Sequence, residues 1–261
     1  SQDYLGQLYN RADGFSFHVA DGSVQRNFTF YSGASTSTER LRITSAGRVG
    51  IGEDDPDELL HIASTGTVKF KLTDKRTSIS DGSQYGVIQF EQKDSNTPGV
   101  SLEMAALMTD TTNGATALQI KTGTPSTITE RLRIDSSGRL LLNDISSRAI
   151  TNIIAQVQLE GTGADTSAVS ITRNSANAFP PYLNFGKSRA TSTGGTTIVQ
   201  TNDSLGQIRF GGTDGNDLTN HAASIEAFVD NTPGNNVMPG RLIFNTTSST
   251  GSDPTERLRI T

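Results

Sequence analysis

The residue types that most often bind metals or move protons are sparse in this chain. Its three histidines, His18, His61 and His221, lie far apart and include no His-x-x-His pair of the kind that zinc sites use. There is no cysteine, so neither a disulfide nor a thiolate ligand is available. We therefore predict no metal site, and interpret the histidines as ordinary strand and loop residues. The one metal site that we leave open is an ion bound by three copies of the same histidine around a threefold axis.

Acidic residues concentrate in one run, from Glu53 to Glu58. This run lacks the alternating oxygen ligands and the central glycine of a calcium-binding EF-hand loop. Asp55, Pro56 and Glu58 instead have the spacing of a helix start, with Asp as N-cap, Pro at the first helical position and Glu at the third. The run therefore predicts a short helix of one or two turns. Residues 59–62 form either its apolar side or the next strand.

Motifs for nucleophilic or phosphate chemistry do not occur. The sequence has no Gly-x-Ser-x-Gly nucleophile elbow, no phosphate-binding glycine loop, and no Trp to stack on a sugar ring. We predict that the protein is not an enzyme and uses no cofactor. A carboxylate pair at the ~5–9.5 Å separation of glycoside hydrolases is still compatible with the many acidic residues.

Composition indicates a polar chain built from short strands. Only 33% of the 261 residues are hydrophobic, whereas a globular chain usually reaches ~45–50% when glycine is counted with them. The net charge is −5, which gives no reason to expect nucleic acid as a partner. No apolar run approaches the ~18 residues of a membrane span, so we predict no membrane insertion. A chain of this kind buries little apolar surface alone, which predicts an oligomer.

A six-residue signature, Thr-Glu-Arg-Leu-Arg-Ile, occurs three times, at 38–43, 129–134 and 255–260. A Ser-x-Gly-Arg turn follows the first two copies, and glycine there suits a positive φ. The repetition predicts three β modules, 1–66, 67–150 and 151–261, of which the third has the longest insertion. Because the sequence stops one residue after the third signature, we expect a segment of a longer modular protein.

Alternating runs before each signature predict further strands, since period-two alternation bounded by Gly, Ser and Thr is typical of strands. These runs are Tyr4–Tyr9 and Asn27–Tyr31 in the first module; Gln84–Phe90, Val100–Met104 and Ala117–Lys121 in the second; and Ser204–Phe210, Ala223–Ala227 and Arg241–Asn245 in the third.

The run from Glu39 to Gly52, followed by Pro56 and by Leu60-His61-Ile62, resembles the repeat unit of bacteriophage tail-fibre and related trimeric fibre proteins. The full resemblance covers about 25 residues of the first module, and the second module departs from it after Leu140. The resemblance implies parallel homotrimers with intertwined β-structure, a shaft, and attachment to a host surface. Such units often precede a self-cleaving chaperone domain, but none is visible here and autocleavage is not carried over.

The predicted fold class is therefore all-β: an elongated, intertwined homotrimeric β-fibre of small β modules, with a β-prism, triple-β-helix or small sandwich-like geometry. Alternation places the signature Leu and Ile on one face and the two Arg on the other, where the Arg would meet Glu39, Glu130 and Glu256 of neighbouring strands or chains. A monomeric sandwich is the alternative. The residues predicted to line the trimer interior are Leu41, Ile43, Val49, Ile51, Leu132, Ile134, Leu258 and Ile260.

The function that these patterns favour is a structural segment of a phage tail or head fibre, located on the virion and outside the host cell. Its partners would be its own copies, adjoining fibre, baseplate or capsid proteins, and a host-surface glycan or protein receptor. Phe179 and Tyr182, in the longest insertion, are the candidates for glycan contact. Two alternatives stay open: a fibre-borne polysaccharide depolymerase, and a cellular trimeric adhesin or surface filament.

Overall fold

The computed structural model describes residues 7–11, 14–18, 27–33, 38–125 and 127–261, and contains no helix in these ranges. Its strands are β1 (Gln7–Arg11), β2 (Gly14–His18), β3 (Phe28–Ser32), β4 (Thr38–Ile43), β5 (Val49–Ile51), β6 (Leu60–Ile62), β7 (Gln84–Gln92), β8 (Gly99–Asp110), β9 (Ala115–Thr124), β10 (Thr127–Ile134), β11 (Leu140–Leu142), β12 (Val157–Leu159), β13 (Ser204–Gly212), β14 (Asn220–Val229), β15 (Gly240–Thr246) and β16 (Thr255–Ile260). The all-β prediction is confirmed.

The chain divides into two compact units, Ser1–Leu72 and Thr73–Thr261. Within the described part of the first unit, β1 and β2 form an antiparallel pair, and β3-β4-β5-β6 form a four-stranded sheet. The second unit contains a six-stranded sheet in the order β12-β11-β10-β9-β8-β7 and a four-stranded sheet in the order β13-β14-β15-β16. Neighbouring strands are antiparallel except for β5 with β6 and β11 with β12, which are parallel.

Each alternating run that falls within the described residues forms a strand, and the three signatures lie in β4, β10 and β16. Tyr4–Gly6, the start of the first predicted strand, lie outside the described residues. The sequence analysis did not identify β2, β11 or β12. The last two contain only three residues each, which is too short for a two-residue period to stand out.

The predicted helix at Asp55–Glu58 is wrong, because these residues lie in the loop that joins β5 to β6. Pro56 is fully buried, and its carbonyl accepts a hydrogen bond from Arg48 Nη1 at 3.1 Å. The Asp55 N–H donates to Glu53 Oε1 at 3.0 Å. A helix of one or two turns has little stability of its own, so these contacts decide the conformation. Leu60–Ile62 form strand β6, which was the second option for that stretch.

The hairpin turn after the signature has the predicted geometry. Gly47 and Gly138 have φ values of 82° and 78°. The Gly138 N–H donates to Asp135 O at 2.9 Å, and Asp135 N–H donates to Arg139 O at 3.0 Å. This is a three-residue hairpin loop whose glycine takes the left-handed position, which glycine adopts at no steric cost. The turn fixes which residues of β10 and β11 lie opposite each other.

We expect Gly138→Val to destabilise the protein by about 1–2 kcal/mol, because a β-branched residue is strained at this positive φ. Gly138→Asn is the control, since asparagine tolerates the left-handed region. The measurement is the free energy of unfolding from urea titration. Equal losses for the two variants would show that the turn does not depend on this φ.

Candidate interchain interface

Each signature strand contains a β-bulge at its first arginine. In the first sheet Tyr31 lies opposite Glu39 and Phe30 lies opposite Leu41, so that Arg40 is the extra residue. The register shifts in the same way around Arg131 and Arg257. A bulge reverses the alternation of faces from that point along the strand. The signature Glu and the second Arg, three residues apart, therefore lie on the same face.

This geometry closes an ion pair inside each signature strand, which we call the Glu–Arg clamp. Arg42 donates two hydrogen bonds to Glu39, from Nε at 2.6 Å and from Nη2 at 2.8 Å. The other two clamps have the same two-bond form, with distances of 2.6 and 2.9 Å for Arg133 with Glu130, and 3.0 and 2.7 Å for Arg259 with Glu256.

The prediction that both signature arginines share one face is therefore wrong. The alternation fails because the first arginine is itself the extra residue of the bulge. Arg40 instead donates from Nε to Ser32 Oγ at 3.3 Å, and Arg257 donates from Nε to Thr246 Oγ1 at 2.9 Å. Each signature Glu thus finds its cation within its own strand.

The clamps favour the ionised form of each glutamate. The Arg42 hydrogen bonds lower the pKa of Glu39 below its usual range, and the Arg259 hydrogen bonds do the same for Glu256. Burial raises the pKa of Glu130, but the hydrogen bonds from Arg133 and Gln119 outweigh burial, so that its pKa is lowered as well. The second clamp is the least exposed, with 12% of the Arg133 side chain accessible against 45% for Arg259.

The bulge is also tied to the end of the next strand. The Gly52 N–H donates to Arg40 O at 3.0 Å, and the Asn143 N–H donates to Arg131 O at 3.2 Å. Both donors have positive φ, at 69° and 59°. The second sheet thus uses asparagine where the first uses glycine, because asparagine also enters the left-handed region. The first and second modules differ in sequence after Leu140, but both keep this hydrogen bond to the carbonyl of the bulged arginine.

The six-stranded sheet presents one continuous apolar face. Register places Leu132 opposite Leu142 on one side and Ile120 on the other, and the row extends across all six strands. A second row runs beside it through Ile134. The first row is Leu159, Leu142, Leu132, Ile120, Met104 and Ile88, and the apolar members of the second are Val157, Leu140, Ile134, Leu118 and Ala106.

The opposite face of this sheet is the buried one, and it combines polar side chains such as Glu103 and Gln119 with the buried apolar residues Ala105, Ala117 and Leu141. Glu103 is 5% exposed, whereas Ile88 on the apolar face is 45% exposed. Glu103 accepts hydrogen bonds from Gln84 at 2.5 Å, from Gln89 at 2.8 Å and from Lys121 at 3.0 Å. The Gln89 hydrogen bond lowers the pKa of Glu103, with burial opposing it and the other donors adding to it. The polar groups of this face are hydrogen-bonded within the chain, whereas the large apolar side chains of the other face are left towards water.

The sheet of β13 to β16 repeats this arrangement. Its apolar face contains the row Ile208, Ile225, Phe244 and Leu258, with Leu242 and Ile260 in the next row. On the other face Glu226 accepts hydrogen bonds from Gln207 and from Ser224 Oγ, the latter at 2.8 Å. Leu258, Ile260 and Phe210 are more than half exposed. The second unit thus exposes the apolar face of both its sheets.

The sheet of β3 to β6 in the first unit has the same rows. Register gives one row of Phe30, Leu41, Ile51 and Ile62, and a second of Phe28, Ile43, Val49 and Leu60. Within each sheet the predicted interior residues therefore share one face.

The sequence analysis named only residues of the signature hairpins as interior. It missed other residues of these apolar faces, although the two-residue period of their strands indicated them: Phe30, Ile88, Phe90, Met104, Ile208, Phe210 and Phe244.

The two candidates for glycan contact lie in the stretch between β12 and β13. Phe179 and Tyr182 are both exposed, and the Arg173 guanidinium lies 5.8 Å from the centre of the Phe179 ring. Asn177 Oδ1 accepts hydrogen bonds from Arg173 Nη2 and from the Phe179 N–H, both at 3.1 Å. The Phe179 ring is thereby held at the surface beside a cation.

The described residues contain no cluster of three or more His, Asp or Glu side chains that would hold a metal ion. His61 Nδ1 lies 2.9 Å from Asp57 Oδ1, which gives this histidine an acidic neighbour. The side chain of His18 lies outside the described part of the chain.

Among the described residues, no helix is long and apolar enough to span a membrane.

No protein-family model and no curated protein sequence matches the chain. Among solved structures it is similar to the carboxy-terminal domain of the bacteriophage T5 L-shaped tail fibre, with a TM-score of 0.57 and 14% identity over 77% of this chain and 85% of that chain. It is also similar to the same domain with its intramolecular chaperone domain, with a TM-score of 0.59 and 12% identity over 75% of this chain and 58% of that chain. At these identities the similarity shows the fold, which resembles that of a phage tail-fibre domain.

The three clamps provide a natural burial series. We expect Arg133→Ala to lower the free energy of unfolding by about 1–3 kcal/mol, because it leaves Glu130 part-buried without its two-bond partner. Arg259→Ala is the matched control in the same motif, and its effect will be smaller because exposed ion pairs contribute little. Urea unfolding followed by circular dichroism measures both, and a larger loss for Arg259→Ala would contradict the assignment.

The ion pair between Arg189 and Asp203 predicts how the stability of the fold changes at low pH. Arg189 donates to both carboxylate oxygens of Asp203 at 2.6 Å, and this lowers the pKa of Asp203 from 3.8 to about 2, with the Gln200 N–H contributing. A lowered carboxylate pKa stabilises the fold above the unfolded pKa, and the stabilisation is lost as pH falls through the folded value.

We therefore expect Asp203→Asn to be less stable than the parent at pH 6, with the difference shrinking between pH 4 and pH 2. Melting temperatures of both proteins across this range provide the measurement. A difference that stays constant down to pH 2 would show that the Asp203 charge does not stabilise the fold.

Proposed function

We propose that this chain is a structural segment of a phage tail or head fibre, in which three parallel copies associate through the apolar faces of their sheets. One observation carries the proposal: each sheet from β3 onward exposes an apolar face, and in the second unit it is the opposite face that is closed by hydrogen bonds within the chain. Rows of Ile, Leu and Phe that span a whole sheet form a large exposed apolar patch, and patches of this size mark interaction surfaces.

The surface area of the chain supports this proposal. The single chain exposes 19240 Å². A compact folded monomer of 27.8 kDa has about 11,000 Å² by the usual scaling of area with mass. The excess is far larger than the ~800 Å² that each partner buries in a standard interface. Association of copies would cover part of this excess.

Apolar burial would supply most of the stabilisation of the trimer. Covering about 1,000 Å² of apolar surface contributes roughly 25 kcal/mol before the entropic costs of association and ordering are subtracted. The Glu–Arg clamps add little across chains, since each closes within its own strand. They fix the bulge, and so determine which side chains the apolar face presents.

The three-module division, 1–66, 67–150 and 151–261, fits this role as a series of β segments along a fibre. The role is structural and involves no catalysis, and it places the protein on the virion, outside the host cell. Its further partners are adjoining fibre, baseplate or capsid proteins and a host-surface glycan or protein. Phe179 and Tyr182 are the proposed contacts with a host glycan, because they are exposed aromatic rings on a loop outside the sheets.

The mass of the protein in solution tests the proposal directly. Light scattering at micromolar concentration is expected to give three times the 27.8 kDa of one chain. A particle with the mass of one chain would overturn the trimer and with it the fibre role.

We predict that Ile134→Asp abolishes the trimer, because it places three carboxylates against an apolar interior. Ser136→Asp is the control, since it adds the same charge two residues away in the exposed hairpin turn. Light scattering of both variants provides the comparison. A trimeric Ile134→Asp variant with unchanged melting would show that this face does not lie in the interior.

A further inference from the structure

Strand β16 differs from the other two signature strands in its neighbours. In the first sheet β4 lies between β3 and β5, and in the six-stranded sheet β10 lies between β9 and β11. In the third sheet β16 pairs with β15 on one side, and among the described residues no strand lies beyond it. We call its unpaired side the free edge. The same six-residue sequence thus has two neighbouring strands in two sheets and one in the third.

The exposure of the side chains reflects this difference. Ile134 and Ile260 occupy the same place in their signatures, and they are 39% and 55% exposed. All six residues of β16 are exposed, against three of the six in β4. Because the signature sequences are identical, the difference comes from what surrounds each strand.

The backbone of β16 has hydrogen-bonding groups directed to the free edge. On β4 the carbonyl of Arg40 accepts a hydrogen bond from the Gly52 N–H, which comes from the β5 side. Antiparallel strands exchange hydrogen bonds at every second residue, so the second signature arginine faces β5 as well. The equivalent groups of β16 are the Arg257 C=O and the N–H and C=O of Arg259. Such an edge is a template for pairing with a further strand.

The two filled edges show which strand fits a signature. The residues opposite the signature Leu and Ile are branched and aliphatic in both sheets: β5 supplies Val49 and Ile51, and β11 supplies Leu140 and Leu142. The next residue of the chain is glycine or asparagine with a positive φ, and its N–H donates to the carbonyl of the bulged arginine. The fitting segment is therefore aliphatic-x-aliphatic, followed directly by glycine or asparagine.

We propose that the free edge of β16 binds an extended polypeptide segment of this pattern as an added antiparallel strand. Its aliphatic residues lie opposite Leu258 and Ile260, and its glycine or asparagine donates to the Arg257 carbonyl. Strand pairing takes place in the plane of the sheet, so the added strand leaves the apolar face uncovered. It lengthens the apolar row of this face, as β11 does beside β10. The inference goes beyond the fibre role and does not depend on the trimer.

A second copy that pairs through its own β16 is the competing occupant. Any antiparallel register that gives Leu258 an aliphatic partner in the second β16 also places Arg259 opposite an arginine. Like charges directly opposite each other destabilise a strand pair. The strands that fill the other two edges place Gly50 and Leu141 opposite the second signature arginine instead. The charges of β16 therefore favour a segment of the β5 or β11 pattern.

Amide hydrogen exchange of the parent protein, resolved to single residues by fragmentation mass spectrometry, shows whether the edge is free. Arg42 and Arg133 are the matched controls, because their strands have filled edges. We expect the Arg259 N–H to exchange at least about tenfold faster than either control. Equal protection of the three amides would mean that another copy already fills the edge, and the proposal would be overturned.

An extended chain then tests the pattern of the occupant. A second copy of residues 45–52, which contain the hairpin turn, β5 and Gly52, is added after Thr261. We expect this extension to slow exchange of the Arg259 N–H at least about tenfold and to raise the melting temperature by about 2–4 °C. The control extension has aspartate in place of its two aliphatic residues, and we expect it to do neither.

The outcomes of the two extensions decide the proposal. Protection of Arg259 by the aliphatic extension alone supports it. Protection by neither extension would show that the edge does not accept a strand, and equal protection by both would show that the aliphatic pattern plays no part. Either result overturns the inference. The mass of the parent in solution tests the trimer separately, so the fibre role and this inference can fail independently.

Discussion

In this chain, polar side chains are satisfied on one face of a sheet and apolar side chains are left exposed on the other. Glu103 and Glu226 lie on closed faces and are surrounded by amide and hydroxyl donors of neighbouring strands. A buried carboxylate is tolerated only when it is fully hydrogen-bonded, so these networks also limit how each sheet packs within its own chain. The opposite faces have no such partners. A single copy therefore satisfies these carboxylates but leaves the large apolar side chains of the opposite faces exposed, which is the basis of the fibre proposal.

The β-bulge in the signature strand gives this segregation its register. Without the extra residue at Arg40, Arg131 or Arg257, the signature Glu and the second Arg would lie on opposite faces. A slip of one residue would also move every leucine and isoleucine of the strand to the other side. The clamp holds the bulge by charge, and the bond from Gly52 or Asn143 to the bulged carbonyl holds it through the backbone. A short sequence thus specifies both the shape of the strand and the identity of its apolar face.

Local patterns predicted much of this fold. Alternation identified the strands longer than about five residues within the described ranges, and the Ser-x-Gly-Arg turn identified the hairpin with its positive φ. The bulge was not predictable in this way, because an extra residue is defined only against the partner strand. The helix expected at Asp55–Glu58 failed because capping signals are local, whereas the Arg48–Pro56 contact that folds this loop is not. The polar ladder of Gln84, Glu103 and Gln119 was missed because its period of two looks like that of a solvent-facing side.

The closure of each clamp within six consecutive residues has a consequence for how such chains change over time. Both charges travel together in any rearrangement of the gene that cuts outside the signature. Two recombining genes that share this short stretch would join the front of one hairpin to the back of another without separating a cation from its anion. The stretches between signatures are then free to differ in length, as the 91-residue and 126-residue intervals here already do. New surface loops can thus be acquired while the strand that sets the register is inherited whole.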